Sequence, residues 1–219
     1  MSIKLKGATS GSVSLDVPAV VSGGDVSLTL PNGVGSAGQY LRNSGTAGTL
    51  EFGSLPASGK ILQVRQSVKT DRASITGGTF GDTGLSVNIT PSSASSNILV
   101  MVHAHLGSSN AYEMAVKLQR DNADISGALG DADGGRPAAT SMVNAYKNSN
   151  DLYTLIPTTI VYLDTAVSTT SQVTYKLQMK TYATYTVYLN RSSTFNIDSG
   201  TIQYDSTPIS TITAMEVAA

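Results

Sequence analysis

The feature that most constrains the fold is a stretch of two consecutive strand patterns between Gly84 and Leu106. In the first pattern apolar and polar residues alternate, which is typical of a strand that is buried on one face. Pro91 ends this pattern, because proline has no N–H group to donate to a neighbouring strand. The second pattern, from Ile98 to Leu106, has apolar residues on both faces, so both faces must be covered. A sandwich of two sheets covers only one of them, and the other needs either a long loop or a second copy of the chain.

Alternation along this second strand assigns each residue to a face. One face carries Ile98, Val100, Val102, Ala104 and Leu106, and the other carries Leu99, Met101, His103 and His105. We predict that the first face points into the sandwich. We predict that Leu99, Met101 and His103 on the second face lie at an interface between copies of the chain. A loop of the same chain is the alternative cover for that face.

The composition limits the classes of partner. Charged residues make up 13% of the 219 residues and the net charge is −1, so neither a nucleic acid nor an anionic membrane is indicated as a partner. Cysteine is absent, which removes disulfides and thiolate metal sites. The N-terminus lacks the apolar segment of a signal peptide, and no run approaches the roughly 20 apolar residues of a membrane helix. We therefore expect a protein that is made in a cytosol and is not inserted in a membrane.

Strand signals separated by turn residues continue to the C-terminus, and no ten-residue window has a helical period. About eight to ten short strands of this kind predict an all-β antiparallel sandwich of the jelly-roll type over residues 59–219. Residues 1–58 are Gly-rich and contain only short strand patterns, such as Gln39 to Leu41 and Thr49 to Phe52. Such a segment cannot bury enough apolar surface alone, so we predict that it borrows a core from partner chains or from a surface it docks onto. A flexible leader is the alternative, with a hinge at Pro56 to Gly59 in either case.

Two histidines are the candidate metal ligands. His103 and His105 share one face of a strand, so their imidazoles can reach the same ion. On a threefold axis, three chains would supply six ring nitrogens, which suits an octahedral site. The alternative is that both histidines hydrogen-bond to neighbours at a subunit interface or beneath a loop, because no carboxylate accompanies them in sequence.

The tyrosines around residue 182 are candidates for binding a receptor. The predicted set is Tyr182, Tyr185, Tyr146, Tyr153 and Arg136. A tyrosine offers a flat apolar ring and a hydroxyl group, which suit a sugar or a protein surface. Packing in the core or at an interface is the alternative for Tyr182 and Tyr185. Packing is the favoured interpretation for Tyr188, which lies within a strand pattern.

The sequence contains no recognisable catalytic motif. There is no Gly-x-Ser-x-Gly elbow, cysteine nucleophile, phosphate-binding loop or His-Glu-x-x-His motif. A polysaccharide depolymerase would need two carboxylates in one groove. The only glutamates, Glu51, Glu113 and Glu216, are far apart in sequence. We therefore expect that the protein is not an enzyme and has no cofactor.

Six segments of residues 59–219 resemble one kind of viral domain. They are ILQV at 61–64, GLSVNITPSSASSNILV at 84–100, TTIVYLDT at 158–165, VTYKLQ at 173–178, VYLNRSS at 187–193 and STITAMEVAA at 210–219. As a set they resemble the C-terminal head of tailed-phage virion proteins, especially those of marine phages. That head is similar to the trimeric tumour-necrosis-factor-like and complement-globular-head jelly rolls. LTLPNGVGSAGQYLRNSG at 28–45 resembles the leader that precedes such heads in phage fibre proteins.

The resemblance implies a homotrimer that is made in the host cytoplasm and located in the virion. Residues 1–58 would be an attachment and trimerisation segment that joins other virion proteins of the tail or the capsid. Residues 59–219 would be the jelly-roll head of a fibre or knob, displayed outward to meet a host surface glycan or protein. The alternative is a purely architectural capsid decoration, such as a head fibre or knob, without a receptor role.

Overall fold

The structure is a computed structural model that describes residues 3–6, 12–15, 28–54, 59–110, 113–144, 154–193 and 206–219, the first two ranges by their backbone alone. It forms two compact units, Met1–Pro56 and Ala57–Ala219. In these ranges all regular structure is β-strand, apart from one 3₁₀ turn at Ser126–Ala128. The predicted all-β fold class is therefore confirmed. A helix long and apolar enough to cross a membrane is absent from the same ranges.

The first unit contains two separate antiparallel strand pairs. β1 (Ile3–Lys6) pairs with β2 (Ser12–Leu15), and β3 (Gln39–Asn43) pairs with β4 (Leu50–Ser54). The second pair agrees with the two short strands predicted in this segment. Its apolar side chains Tyr40, Leu41 and Phe52 are exposed. That the segment borrows a core from elsewhere stays a prediction. The predicted hinge residues Pro56 to Ser58 lie outside the described residues.

The second unit is built from strands β5 to β15. Their bounds are β5 Ile61–Lys69, β6 Ala73–Thr76, β7 Gly81–Ile89, β8 Asn97–Ser108, β9 Glu113–Arg120, β10 Ala123–Asp124, β11 Ser141–Asn144, β12 Ile156–Asp164, β13 Val173–Lys180, β14 Thr186–Leu189 and β15 Ser210–Val217. The sequence did not predict β6, because four residues are too few for alternation to be recognised.

Antiparallel pairing arranges these strands in two sheets, each four strands wide. In the first sheet β12 and β15 flank β8, β14 continues the line of β15, and β5 and β6 lie beyond them. In the second sheet β10 and β11 lie along one side of β9, and β13 and then β7 lie along the other. The long strands β5, β7, β8, β9, β12, β13 and β15 alternate between the two sheets in chain order. This crossing connectivity is that of the predicted jelly-roll sandwich.

The core lies between the two sheets, and β8 supplies its centre. Ile98, Val100, Val102, Ala104 and Leu106 are all buried, as alternation predicted. They pack in one cluster with Met114, Val116 and Leu118 of β9 and with Tyr175, Leu177 and Met179 of β13. Burial of this apolar surface, at about 25 cal/mol per Å², is the main term that stabilises the fold. On the opposite face of β8, Met101 and His103 are exposed, so the described residues of the chain do not cover that face.

Glu216 is a completely buried carboxylate near the end of β15. Its Oε1 accepts hydrogen bonds from the backbone N–H and the hydroxyl of Ser92, both at 2.7 Å, and its Oε2 accepts one from Gln63 at 2.7 Å. Burial by itself raises the pKa of a carboxyl group, but hydrogen bonds from Ser92, Gln63 and Ser96 outweigh it and lower the pKa of Glu216 to about 2. The carboxylate therefore ties the loop between β7 and β8 to the end of β15.

Glu216→Gln is expected to remove an acid-sensitive part of the stability. The folded-state pKa lies below the ordinary value of 4.5, so the stabilisation is complete above that pH and is lost as the pH falls towards 2. The shift corresponds to about 3 kcal/mol of unfolding free energy. Urea unfolding across this pH range should show that the free energy of unfolding falls more steeply with decreasing pH in the native chain than in the variant. Asp71→Asn, at an exposed carboxylate, is the control, and equal acid slopes for the native chain and Glu216→Gln would contradict the prediction.

Candidate functional site

Four strands of the first sheet, β5, β15, β8 and β12, present a regular outer surface without an aspartate, glutamate, lysine or arginine. Strand register places three rows of four side chains across β5, β15, β8 and β12. The rows are Val68–Thr211–His103–Thr159, Gln66–Thr213–Met101–Val161 and Val64–Met215–Leu99–Leu163. None of these residues is an aspartate, glutamate, lysine or arginine. We call this surface the charge-free face.

Apolar side chains of the charge-free face are open to solvent. Val64, Val68, Val161 and Leu163 are between 44% and 62% exposed, and Met101 is 38% exposed. Monomeric soluble proteins seldom leave a contiguous apolar surface uncovered. The predicted interface residues Leu99, Met101 and His103 all lie on this face, at its centre rather than at its margin.

Four of the five polar side chains of the charge-free face have hydrogen-bond partners within the face itself. Nδ1 of His103 lies 3.1 Å from Oγ1 of Thr159. Nε2 of Gln66 donates to Oγ1 of Thr213 at 2.9 Å. Polar groups that already have hydrogen-bond partners cost less free energy to remove from water. Another protein surface can therefore cover the face at a small desolvation cost.

The predicted metal ligands His103 and His105 contact each other edge to face, with ring centroids 4.8 Å apart. Nδ1 of His105 lies 3.0 Å from the carbonyl oxygen of Ile209. A carbonyl can only accept, so this Nδ1 carries a proton and Nε2 of neutral His105 holds the lone pair. Across the described residues no group of three metal-binding side chains includes them. A metal on a threefold axis therefore stays a prediction that requires ligands from neighbouring chains.

The outer face of the second sheet has the opposite character. Lys117 pairs with Asp124 at 2.9 Å, and Lys176 pairs with Asp82 at 2.7 Å. The amides of Gln119 and Gln178 donate to the same two carboxylates. These hydrogen bonds, with the charge on Lys117 and Lys176, lower the pKa of both aspartates. An ion-paired surface of this kind is suited to remain in water, which leaves the charge-free face as the surface suited to burial.

A groove of about 470 Å³ opens on this second sheet, where β9, β11 and the end of β13 meet the loop before β11. The residues that line it include Glu113, Arg136, Met142, Asn144, Lys180 and Tyr182. We call it the Arg136 groove. Arg136 and Tyr182, two of the predicted receptor-binding residues, are therefore brought together although they are far apart in sequence.

Tyr185, another predicted receptor-binding residue, is not among the residues that line the Arg136 groove. Tyr185 donates its N–H to the carbonyl of Tyr182 in a turn, at 3.1 Å, and Tyr146 and Tyr153 lie outside the described residues. Tyr188 is half-buried in β14, with the guanidinium of Arg191 4.3 Å from its ring centre. Sequence reasoning missed Lys180. Alternation along β13 places Lys180 on the outer face, but only the pairing of β11 with β9 shows the groove.

Comparisons with known proteins do not place the chain in a family. No protein family matches the sequence, and no curated protein matches it. A chain from the structure of the Gx strain of infectious bursal disease virus is similar to this one with a TM-score of 0.27 and 12% identity. The match covers 95% of this chain and 46% of that chain. A similarity this slight establishes neither a shared fold nor a shared function.

Proposed function

We propose that the chain is a virion structural protein in which residues 59–219 form a homotrimeric head and residues 1–58 attach it to the particle. The charge-free face carries this proposal, because an ordered apolar surface that spans four strands calls for a protein partner. The resemblance to the heads of tailed-phage virion proteins supports both the trimer and the location. The proposal includes no catalytic activity and no cofactor.

Copies of the same chain are the partners that suit the charge-free face best. In a cyclic assembly every copy contributes the same surface, so any fixed charge on it would be repeated around the axis and would repel its equivalents. The absence of aspartate, glutamate, lysine and arginine from all three rows meets this requirement. The hydrogen bonds between Gln66 and Thr213 and between His103 and Thr159 lower the cost of burying the polar members.

A role in attachment to a host or other surface is part of the proposal, and a purely architectural decoration is the second candidate. The Arg136 groove favours attachment, because it lies on the sheet opposite the charge-free face and remains open when that face is covered. A decoration protein needs no such groove. Whether the anchored end sits on the tail or on the capsid distinguishes a fibre from a knob.

The test compares the full chain with residues 59–219 alone. Light scattering should give both a mass of three chains, which for the full chain is three times 22.6 kDa. Immunogold labelling should find the full chain on intact particles, on the tail for a fibre or on the capsid for a knob, and should not find the shortened chain there. A stable monomer at micromolar concentration would contradict the trimer. Normal incorporation of the shortened chain would contradict the role of residues 1–58.

A further inference from the structure

We infer that the Arg136 groove binds an acidic saccharide, with a sugar carboxylate at Arg136 and Lys180 and a sugar ring against Tyr182. The inference rests on the proposed attachment role, for which it names the class of ligand. It is separate from assembly, because the groove lies on the second sheet and the charge-free face on the first.

The cations of the groove differ from the others on the same sheet. Lys117 and Lys176 each have an aspartate partner within 3 Å. Among the described residues, no carboxylate lies within ion-pair distance of Arg136 or Lys180. Among the described residues that line the groove, Glu113 is the only acid. The groove therefore presents two cations against one carboxylate, and an incoming anion would supply the missing partner.

The backbone of Arg136 and the ammonium group of Lys180 are both fixed before any ligand arrives. Arg136 closes a tight turn in which Asp133 and Arg136 exchange two backbone hydrogen bonds, and Gly134 permits the turn with a φ of +56°. Lys180 is nearly buried, and its ammonium group lies 5.7 Å from the centre of the Phe80 ring. A cation fixed over an aromatic ring loses little conformational entropy on binding an anion.

Tyr182 offers the apolar surface that a sugar ring requires. Its side chain is 54% exposed, although the residue before it is completely buried. That residue, Thr181, donates its hydroxyl to the carbonyl of Glu113 at 2.9 Å and its N–H to the carbonyl of Gly77 at 3.2 Å. The end of β13 is thereby fastened to the start of β9. Tyr182 is displayed from a fixed backbone, as a stacking surface should be.

An acidic sugar fits this set of groups better than other ligands do. A neutral sugar would leave the cations without a partner, and a nucleic acid would need an extended basic track that a chain of net charge −1 lacks. The planar guanidinium of Arg136 matches a carboxylate in a bidentate arrangement. Glu113 and Asn144 remain available to accept and donate hydrogen bonds with sugar hydroxyls. The volume of the groove suits one or two sugar rings.

The experiment measures binding of the full chain to immobilised oligosaccharides that contain hexuronic or sialic acid, beside the same oligosaccharides after reduction of their carboxyl groups. We expect binding to at least one acidic oligosaccharide and loss of that binding on carboxyl reduction. Arg136→Gln and Tyr182→Ala should each weaken it by about tenfold or more, because each removes a direct contact. Lys176→Gln is the matched control, since it removes one positive charge from the same sheet outside the groove, and its affinity should equal that of the native chain.

Several results would overturn the inference. They are no binding to any acidic oligosaccharide, equal binding after carboxyl reduction, unchanged affinity in Arg136→Gln, or selective binding of a poly-glutamate peptide instead. Light scattering on the same samples separates this failure from a failure of the proposed function. If the variants keep the mass of three chains but nothing binds, the trimer stands and the ligand class is wrong. Melting temperatures within about 2 °C of the native value for Arg136→Gln and Tyr182→Ala would show that these two substitutions left the fold intact, as expected for exposed side chains.

Discussion

Val100→Asp should yield unfolded or insoluble chain, whereas Met101→Asp, one residue further along β8, should yield a soluble and folded monomer. Val100 is completely buried and lies between Ala214 of β15 and Tyr162 of β12. A carboxylate there has no partner, and the cost of several kcal/mol is comparable with the whole stability of a domain. Met101 lies on the charge-free face and is partly exposed, so a single chain tolerates the substitution.

The effect of Met101→Asp should fall on assembly. Three copies of the new carboxylate would lie around one axis, where they lose hydration and repel one another. We expect circular dichroism to show unchanged strand content and light scattering to show a monomer, or a trimer that separates on dilution. Met142→Asp is the matched control, because Met142 is an exposed methionine on the other sheet. It should leave the mass at three chains.

The same pair of variants separates the two possible covers of this face. If a loop of the same chain covered residues 99, 101, 103 and 105, Met101→Asp would lower the melting temperature without changing the mass in solution. A Met101→Asp trimer with the dissociation behaviour of the native protein would refute the placement of this face at the interface. The threefold metal site of His103 and His105 would then lose its geometry as well.

Asp164→Ala is expected to destabilise the second unit by about 3 kcal/mol, the lower part of the range for a broken buried ion pair. Asp164 is completely buried, and its Oδ2 accepts hydrogen bonds from Arg120 at 2.6 Å and from the Tyr175 hydroxyl at 2.8 Å. Without the carboxylate, the buried Tyr175 hydroxyl loses its acceptor. Arg120 is about a quarter exposed, so its charge can regain part of its hydration. The expected loss of unfolding free energy therefore lies at the lower end of that range.

Tyr175→Phe is the comparison for Asp164→Ala. Burial, followed by the hydrogen bond and the charge of Asp164, raises the pKa of Tyr175 far above its ordinary value, so the hydroxyl remains a donor at every working pH. Removing that hydroxyl leaves Asp164 with Arg120 and with the N–H of Ala166, and the loss should be about 1 kcal/mol. Urea unfolding measures both values. If Asp164→Ala cost no more than Tyr175→Phe, the carboxylate would not be the centre of this network.

Alternation in the sequence was enough to predict the faces of β8. Successive side chains of a strand point to opposite sides, and this follows from backbone geometry alone. The buried set from Ile98 to Leu106 and the exposed Met101 and His103 therefore agree with the prediction. Pro157 has no N–H group to donate, which favours a bend or an edge position for its strand, and β12 pairs with β8 alone among the described strands.

The position of Gln119 shows where alternation stops being informative. Alternation along β9 places Gln119 on the outer side of the strand, and it does lie there, but it is nearly buried. Its amide donates to Asp124, which folds back over it from β10. The burial of a side chain depends on which other segments cover it, and the sequence of its own strand does not predict those segments. The same holds for Glu216, whose partners Ser92 and Gln63 come from two other segments.

What the sequence determined by itself was local: the strand class, the turn positions and the side of each strand that faces the core. The resemblance of residues 59–219 to the C-terminal heads of tailed-phage virion proteins added the expectation of a location in the virion. The charge-free face exists only because β5, β15, β8 and β12 pair in one register. A shift of one residue in the register of a strand would move its side chains to the opposite face of the sheet. The Arg136 groove likewise exists only because β11 pairs with β9 and sets Arg136 near Tyr182. Backbone periodicity relates residues that are two apart, whereas strand pairing joins segments more than 100 residues apart, such as β5 and β15. The charge-free face and the Arg136 groove were therefore decided by the tertiary structure alone.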